Sequence, residues 1–513
     1  MQIAALFFVL SGAFAFTWLV RQVLDRCRHA SQAKKLGCQP PRWGVYHEPS
    51  GFIGLIEAVR AVSDKVFPDF LNERFEHLRE KRGSHMGTVQ LKTFPFRTTL
   101  FTTDPQNIQA ILALKFKDFE LGPNRTENFK PLLGHGIFAS NGKTWEHSRA
   151  MLRPSFTRSQ ITDLDLEERH VQSLFSVLNK KIGPDGWTDF VDLQPLFFHL
   201  TLDSATEFLF GESVDSQLSE QDNGFANAFD SAQATLSLGA KMGANLFWLV
   251  HTPKFHRDVK LVHDFVDRFV AKTLSGSEKS NMDDRYVFLR ALAEQTSDPA
   301  ELRSELLNIL LAGRDTTAST LGWFFYTMCE TRYQKLYHKL RTVIIEEFGT
   351  YENPRDITFE RLKGCQYLQY CVNEIIRLYP AVPVNVRTAA TDTTLPTGGG
   401  PDGKAPVYVR KGQDVGYSVY VLHRREDIWG PDAKVFRPER WADVRPGWGY
   451  LPFNGGPRIC LGQQFALTEL SYVIVRMMQR IDQLDGSRAG PIRHALTLTN
   501  APDKANMRLH FVQ

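Results

Sequence analysis

Cysteine is scarce. Six cysteines (Cys27, Cys38, Cys329, Cys365, Cys371 and Cys460) are scattered through 513 residues, and none has C-x-x-C spacing. That excludes a disulfide framework and a cysteine-based zinc site, and it fits a reducing compartment. A surplus of one charge is also lacking: 61 Lys and Arg face 57 Asp and Glu, a net charge of +4. For a chain of this size that is near neutral, so no nucleic-acid partner is expected. No internal repeat or long low-complexity tract is present. No G-x-G-x-x-G with its acidic partner and no flavin domain is evident, so a nicotinamide would not be bound directly. Apolar residues, by contrast, are plentiful: 42% of the chain is hydrophobic and 37 residues are Phe. That is enough for a sizeable core, and an aromatic-lined apolar pocket is one use for the surplus of rings.

The first twenty residues differ from the rest. Residues 3–20 are 18 positions without a charge, about the minimum for a membrane-crossing helix. The flank that follows carries Arg21, Arg26, Arg28, Lys34, Lys35 and Arg42 against one acid, Asp25. Ala13-Phe-Ala15 looks like a signal-peptide cleavage site, yet no basic residue precedes the run and it continues to Val20. We expect one N-terminal transmembrane helix (1–20), a basic, Pro-containing linker (21–43) and one folded domain (44–513). The positive-inside rule puts that domain in the cytosol, where the sequon Asn124-Arg-Thr126 never meets the glycosylation machinery. Helical periodicity runs through 302–329, 367–379 and 465–481, strand patterns through 407–410 and 414–421, and the Gly- and Pro-rich 394–406 reads as an exposed loop. The expected fold class is mostly α with a minor β part.

Four clusters carry chemistry. Phe453-Asn-Gly-Gly-Pro-Arg458-Ile-Cys460-Leu-Gly462 puts one cysteine in a Gly-rich loop ahead of a helical apolar run, 461–478. Gly456 permits a tight turn, Gly462 permits close approach to a ligand, and the helix start favours a thiolate. Ala312-Gly-Arg-Asp315-Thr316-Thr317 lies mid-helix, where Thr316 can hydrogen-bond the carbonyl of Ala312 and loosen the helix locally. Glu374-Ile-Ile-Arg377 places opposite charges on one helix face, with Phe436-Arg-Pro-Glu-Arg440-Trp441 downstream. Trp145-Glu-His-Ser-Arg149 does the same for an indole and a guanidinium. Taken singly, each has a bland reading: an inert cysteine, a Thr-rich packing face, solvated helix charges.

Together, in this order, they resemble the cytochrome P-450 monooxygenases from about Pro40 to the C-terminus. The resemblance implies the P-450 fold, with Cys460 as axial thiolate on haem iron; a thiolate ligand favours O–O cleavage. It implies haem contacts from Trp145, Arg149, Ala312, Gly313, Arg387, Phe453, Arg458 and Gly462, proton delivery by Asp315 and Thr316, and a buried structural triad of Glu374, Arg377 and Arg440. Ala312 stands where a related animal branch has a haem-esterifying Glu, so the cofactor implied is non-covalent haem b. Electrons would come from NADPH through a separate cytochrome P-450 reductase, with cytochrome b5 as a second donor candidate, at the endoplasmic reticulum membrane. Phe129-Lys-Pro-Leu-Leu-Gly134, 311–317 and Gly462-Gln-Gln-Phe-Ala-Leu-Thr468 are similar to the fungal alkane- and fatty-acid-hydroxylating branch. That implies hydroxylation of a lipophilic chain at or near its terminal methyl, with substrate contacts in 120–137, 228–250, 382–386 and 496–501. The stretch 236–250 is apolar enough to touch a membrane. The alternatives are a tailoring oxidation of a fungal secondary metabolite, and a reductase-independent haem-thiolate isomerase, dehydratase or haem sensor.

Overall fold

The helix Pro299–Met328 is the axis around which the chain is organised. It starts where the sequence says it should: Asp298 caps it by accepting the amide of Ala300, and Pro299 occupies a first-turn position that needs no amide. Its later part is buried on every side, as expected of an apolar helix at the centre of a protein. Leu302 to Leu311 belong to one core, shared with helices Phe225–Met242 and Pro253–Leu274. Ala318 to Cys329 belong to another, shared with helices Leu164–Asn179, Gln334–Phe348, Gln366–Leu378 and Gln463–Arg480. The two cores part at residues 312–317, and the interior cavity described below lies there. The computed structural model describes residues 2–44, 50–83, 86–93, 97–157, 164–219, 224–242, 246–276 and 287–512, without the side chains of 2–12, 14, 15, 18 and 19.

The minor β part sits to one side. A five-stranded sheet runs in the order Thr88–Thr93, Arg97–Thr102, Asp414–Ser418, Val384–Ala389, Phe119–Glu120; only the Arg97–Thr102 to Asp414–Ser418 pairing is parallel. The strand expected over 414–421 ends at Ser418, whose hydroxyl caps the helical turn Val419–Leu422. The exposed loop expected over 394–406 is instead an antiparallel hairpin, Thr393–Gly399 with Ala405–Val409, and Leu395 and Val407 in it are fully buried. Its glycines serve close approach rather than mobility: a Cβ on Gly399 would sit 2.4 Å from the carbonyl oxygen of Gln39.

The same hairpin holds the N-terminal segment. The helix Gln2–Lys35 is continuous, so the expected linker 21–43 is helical for most of its length. Beyond it, Gln39 donates to the Pro406 carbonyl (2.9 Å), Pro41 bridges Gly399, and Arg42 donates to the Pro401 carbonyl (2.9 Å). On the helix itself, His29 Nδ1 lies 3.2 Å from the Tyr408 hydroxyl and 3.8 Å from Asp392. The expected transmembrane segment 1–20 falls mostly on side chains outside the described residues; among the described residues, no helix is long and apolar enough to cross a membrane.

Candidate active site

Cys460 stands at the end of a loop whose backbone is set by two left-handed residues, Asn454 (φ 63°) and Gly456 (φ 68°). Asn454 is steadied by the Tyr417 hydroxyl at 3.1 Å. A Cβ on Gly456 would be 1.8 Å from the Leu112 carbonyl oxygen, so only glycine fits. The Cys460 amide donates to the Phe453 carbonyl (3.1 Å), which closes the loop. The following helix begins at Gln463, so the thiol sits just ahead of its first turn. Cys460 has accessible surface, but that surface opens into an interior cavity rather than bulk solvent. Burial accordingly pushes its thiol up, against the opposing pull of the Gly462 amide and the Arg149 guanidinium. A Cβ on Gly462 would meet Phe156 at an ordinary 3.6 Å; protein packing does not demand a glycine there, whereas a ligand pressed against the helix start would.

Guanidinium groups crowd one wall. Arg149 donates to the Ile459 carbonyl (3.0 Å), Arg458 to the Ser140 carbonyl (3.0 Å) and Asn141 (3.1 Å), Arg125 to the Phe138 carbonyl (3.1 Å), and Arg387 to the Val386 carbonyl (3.0 Å). Trp145 lies under two of them, 4.4 Å from Arg458 and 5.8 Å from Arg149. Among the described residues none of the four has a carboxylate partner. Burial first, then mutual repulsion with Arg387, holds Arg125 at about 10 and Arg458 at about 9. Four cations converging on a cavity without an acid among them call for an anionic ligand. A haem, with two propionates, fits that demand, and Cys460 fits its iron. Arg125 was not expected; in the sequence it is hidden inside the sequon, whose Asn124 is partly buried and donates to the Ala240 carbonyl (3.0 Å). Among the described residues no group of three or more His, Cys, Asp or Glu could hold a metal unaided.

Ala312, Gly313, Thr316, Thr317 and Thr320 of the central helix border the same cavity. Thr316 donates to the Ala312 carbonyl at 2.8 Å, and the helix passes through the site unbroken instead of loosening. A Cβ on Gly313 would find Ala205 no nearer than 3.8 Å, so its small size leaves room in the cavity. Asp315 departs from the expected arrangement. It is buried and is not among the cavity-lining residues. It sits 3.4 Å from Arg314, which in turn pairs with Asp230. Burial raises the Asp315 carboxyl to about 6; Arg314 opposes the rise and Asp230 adds to it.

Glu374, Arg377 and Arg440 meet as one buried unit. Arg377 grips Glu374 with two bonds (2.9 and 2.8 Å), Arg440 Nε donates to the same carboxylate (2.8 Å), and the Trp441 indole adds a third partner (3.0 Å). Both arginines spend their remaining donors on carbonyls of His423, Trp429, Asp432, Ala433 and Val435. The charges are thus paired and fully hydrogen-bonded, the condition under which burial is tolerated.

The cavity has a volume of about 1170 Å³. Its walls include parts of each segment expected from the sequence: 120–125, 237–242, 382–386 and 496–499. Of the apolar stretch 236–250, residues 243–245 lie outside the described ones. The wall also takes in the helices Phe52–Ser63 and Phe67–Arg82, which no sequence motif had marked.

A partly open cavity bordered by a thiol, by guanidiniums without carboxylate partners and by a Thr-bearing helix is the arrangement of the haem-thiolate class of protein. The family profile "Cytochrome P450" matches residues 62–507. The chain is 47% identical to cytochrome P450 monooxygenase g430 of a Fusarium species, over 97% of this chain and 88% of that one. It is 45% identical to cytochrome P450 52A12 of Debaryomyces hansenii (90% of each chain) and 44% identical to cytochrome P450 52A5 of Candida maltosa (91% and 90%). The chain belongs to the cytochrome P450 family. It is an oxidoreductase, a haem monooxygenase whose electrons derive from NADPH through a reductase.

Proposed function

We propose that the protein hydroxylates long-chain lipids, fatty acids or alkanes, at or near the terminal methyl, with Cys460 as the iron ligand. The observation that carries this is the shared cavity: the Cys460 thiol, the four unpaired arginines and Thr316 all border one mostly apolar space. The family resemblance of 311–317 and 462–468 narrows the substrate to a hydrocarbon chain. We assign the electron donor to a diflavin NADPH–cytochrome P450 reductase, with cytochrome b5 as a second donor candidate. The setting is the endoplasmic reticulum membrane, with residues 1–20 as a single-pass anchor and the domain in the cytosol.

When bound, haem supplies the O2-activating chemistry that inserts one oxygen atom into an unactivated C–H bond. The chain's own residues do the rest. Cys460 would offer its sulfur to the iron as a thiolate, whose charge the Gly462 amide and Arg149 would help to carry. Arg125, Arg387 and Arg458 would receive the two propionates, with Trp145 backing Arg458. Thr316 Oγ1 would hold a proton at the cavity wall. Asp315, whose carboxyl burial raises to about 6 and which is therefore about one-tenth protonated at pH 7, would resupply it once its side chain leaves Arg314 for the cavity side; Asp230, half exposed at the other end of that pair, would exchange with water. The apolar walls would exclude water and admit a chain end-on. Terminal attack needs that control, because a methyl C–H is stronger than its methylene neighbours, and orientation of this kind is worth several kcal/mol, up to about 10.

The test joins a spectrum to a product. Reduced wild-type protein with carbon monoxide should show the red-shifted Soret band of thiolate ligation, and Cys460→Ala should lose it. Reconstituted with reductase and NADPH, wild type should give terminally hydroxylated products of fatty acids or alkanes by gas chromatography. A band that survives Cys460→Ala removes the ligand assignment. Turnover of a polyketide or terpenoid, with none of any lipid chain, would replace the substrate class.

A further inference from the structure

Several cations of the cavity wall are left unused by the haem-side reading, and one of them, Lys241, is held in place by the backbone. Lys241 lies in the last turn of helix Phe225–Met242 and lines the cavity. Its ammonium reaches across to the hairpin formed by His494–Leu496 and Asn500–Pro502, donating to the Leu496 carbonyl at 2.6 Å. An ammonium has three N–H donors, and this contact accounts for one. Among the described residues Lys241 has no acidic partner. Leu238, Met242, Leu496, Leu498 and Val382 share its stretch of wall. Lys241 is exposed at the edge of the cavity, yet these surroundings desolvate its ammonium enough to hold its pKa below the usual lysine value.

The other cations of the wall are spoken for or stand elsewhere. Arg74 is paired with Glu57, and Lys92 donates to Thr98 (2.9 Å). Arg97 and Lys411 lie at an exposed strand end and an exposed turn. Lys241, exposed like them, differs in that its ammonium is fixed by a backbone carbonyl of the hairpin, with open donors left and apolar residues among its neighbours on the wall. A partly desolvated charge without a counter-ion is unfavourable, and an arriving anion relieves it. An alkane offers no such anion, whereas a fatty acid carries one at the end opposite its terminal methyl.

We infer that Lys241 is the carboxylate anchor of this site, and that long-chain fatty acids rather than alkanes are the substrate class. The inference rests on the lipid-hydroxylase reading above and sharpens it. The carboxylate would take the open donors of Lys241 while the hydrocarbon tail runs along the wall toward Cys460, which presents the methyl end for attack. The Lys241–Leu496 contact would also tie the helix end to the hairpin over the bound chain.

The test is a set of spin-state titrations of the holoenzyme with palmitic acid, its methyl ester and hexadecane in one detergent. Wild type should bind the acid more tightly than the ester or the alkane. Lys241→Met should weaken acid binding by about 10- to 100-fold, the range for a charge-assisted hydrogen bond, and so collapse the acid-to-alkane ratio. Lys241→Arg should keep most of that ratio. The carbon monoxide spectrum of each variant verifies its fold. Unchanged acid affinity in Lys241→Met, or an equal loss for all three ligands, overturns the anchor while the lipid reading stands. A wild type that prefers hexadecane also overturns it. A wild type that binds none of the three overturns the lipid reading and the anchor with it.

Discussion

Thr316 is one hydroxyl on which packing and chemistry make different demands. Its bond to the Ala312 carbonyl is internal to the helix, and alanine is the better helix former. Thr316→Ala should therefore fold and load haem normally. We expect product formed per NADPH consumed to fall by about tenfold or more, with hydrogen peroxide appearing in its place, because positioned proton donors contribute at least that much. An unchanged ratio would assign Thr316 to packing. The neighbouring Asp315 shows what a motif cannot say. Residues 309, 311–313, 316, 317 and 320 of the central helix border the cavity and Asp315 does not; its carboxylate turns to Arg314 instead. Sequence spacing places Asp315 next to Thr316 but does not reveal that Arg314, itself paired with Asp230, holds it. Arg125 was illegible for another reason. It belongs to none of the four chemistry-bearing clusters, and only the convergence of distant segments brings it beside Arg387 and Arg458. Cys460 was legible because its loop needs residues of special geometry at fixed offsets, with Gly456 the strictest case.

Among the elements, the segment between the Glu374–Arg377–Arg440 unit and the cysteine loop hinges on His423. The Leu451 amide must donate to His423 Nε2 (2.8 Å), so the ring proton is on Nδ1 and points at the Arg377 carbonyl (3.0 Å). The ring is fully buried against Trp429 and Tyr450. Burial first, then the charges of Arg377 and Arg424, holds its pKa well below the usual 6.5, against the pull of the Arg377 carbonyl. The unfolded chain then binds a proton below about pH 6.5 that the folded chain refuses. Stability from this group is full above that pH and falls as pH drops beneath it, by about 1.4 kcal/mol per pH unit. In denaturation measurements between pH 5.5 and 7.5 the wild type should lose about this much more stability per pH unit toward acid than a His423→Asn variant, which is less stable overall. Equal slopes would remove His423 as the source of the loss. The helices were well marked by periodicity; 366–378 and 463–480 were off by only a residue or two at their ends. The hairpin 393–409 was misread because glycine reports both freedom and close approach, and only the position of Gln39 and Thr88 against Gly399 and Gly398 distinguishes them.

For the whole molecule, composition and motif order sufficed for a mostly helical fold with a small sheet part, since one long apolar helix can bury itself only at a centre. The contribution of helices 52–63 and 67–82 to the cavity could not be foreseen, because wall residues of a lipid pocket are apolar in the same way as a core. Deleting residues 1–20 should release the protein from integral to peripheral membrane association while the haem spectrum persists, since His29 and residues 39–42 keep their own contacts with the domain. Wild type extracted by alkaline carbonate would end the anchor reading. That docking has a further consequence. The hairpin gripping His29 and Pro41 also abuts Thr88 through Gly398, and Thr397 is tied to Asn107 (3.0 Å). Strand Thr88–Thr93, which begins at Thr88, carries part of the cavity wall. With its first turns in a bilayer, as proposed, the N-terminal helix is a stalk bolted to the doorway. The opening then keeps a set pitch relative to the lipid surface, and substrate capture becomes partition into the leaflet followed by a search in two dimensions instead of three.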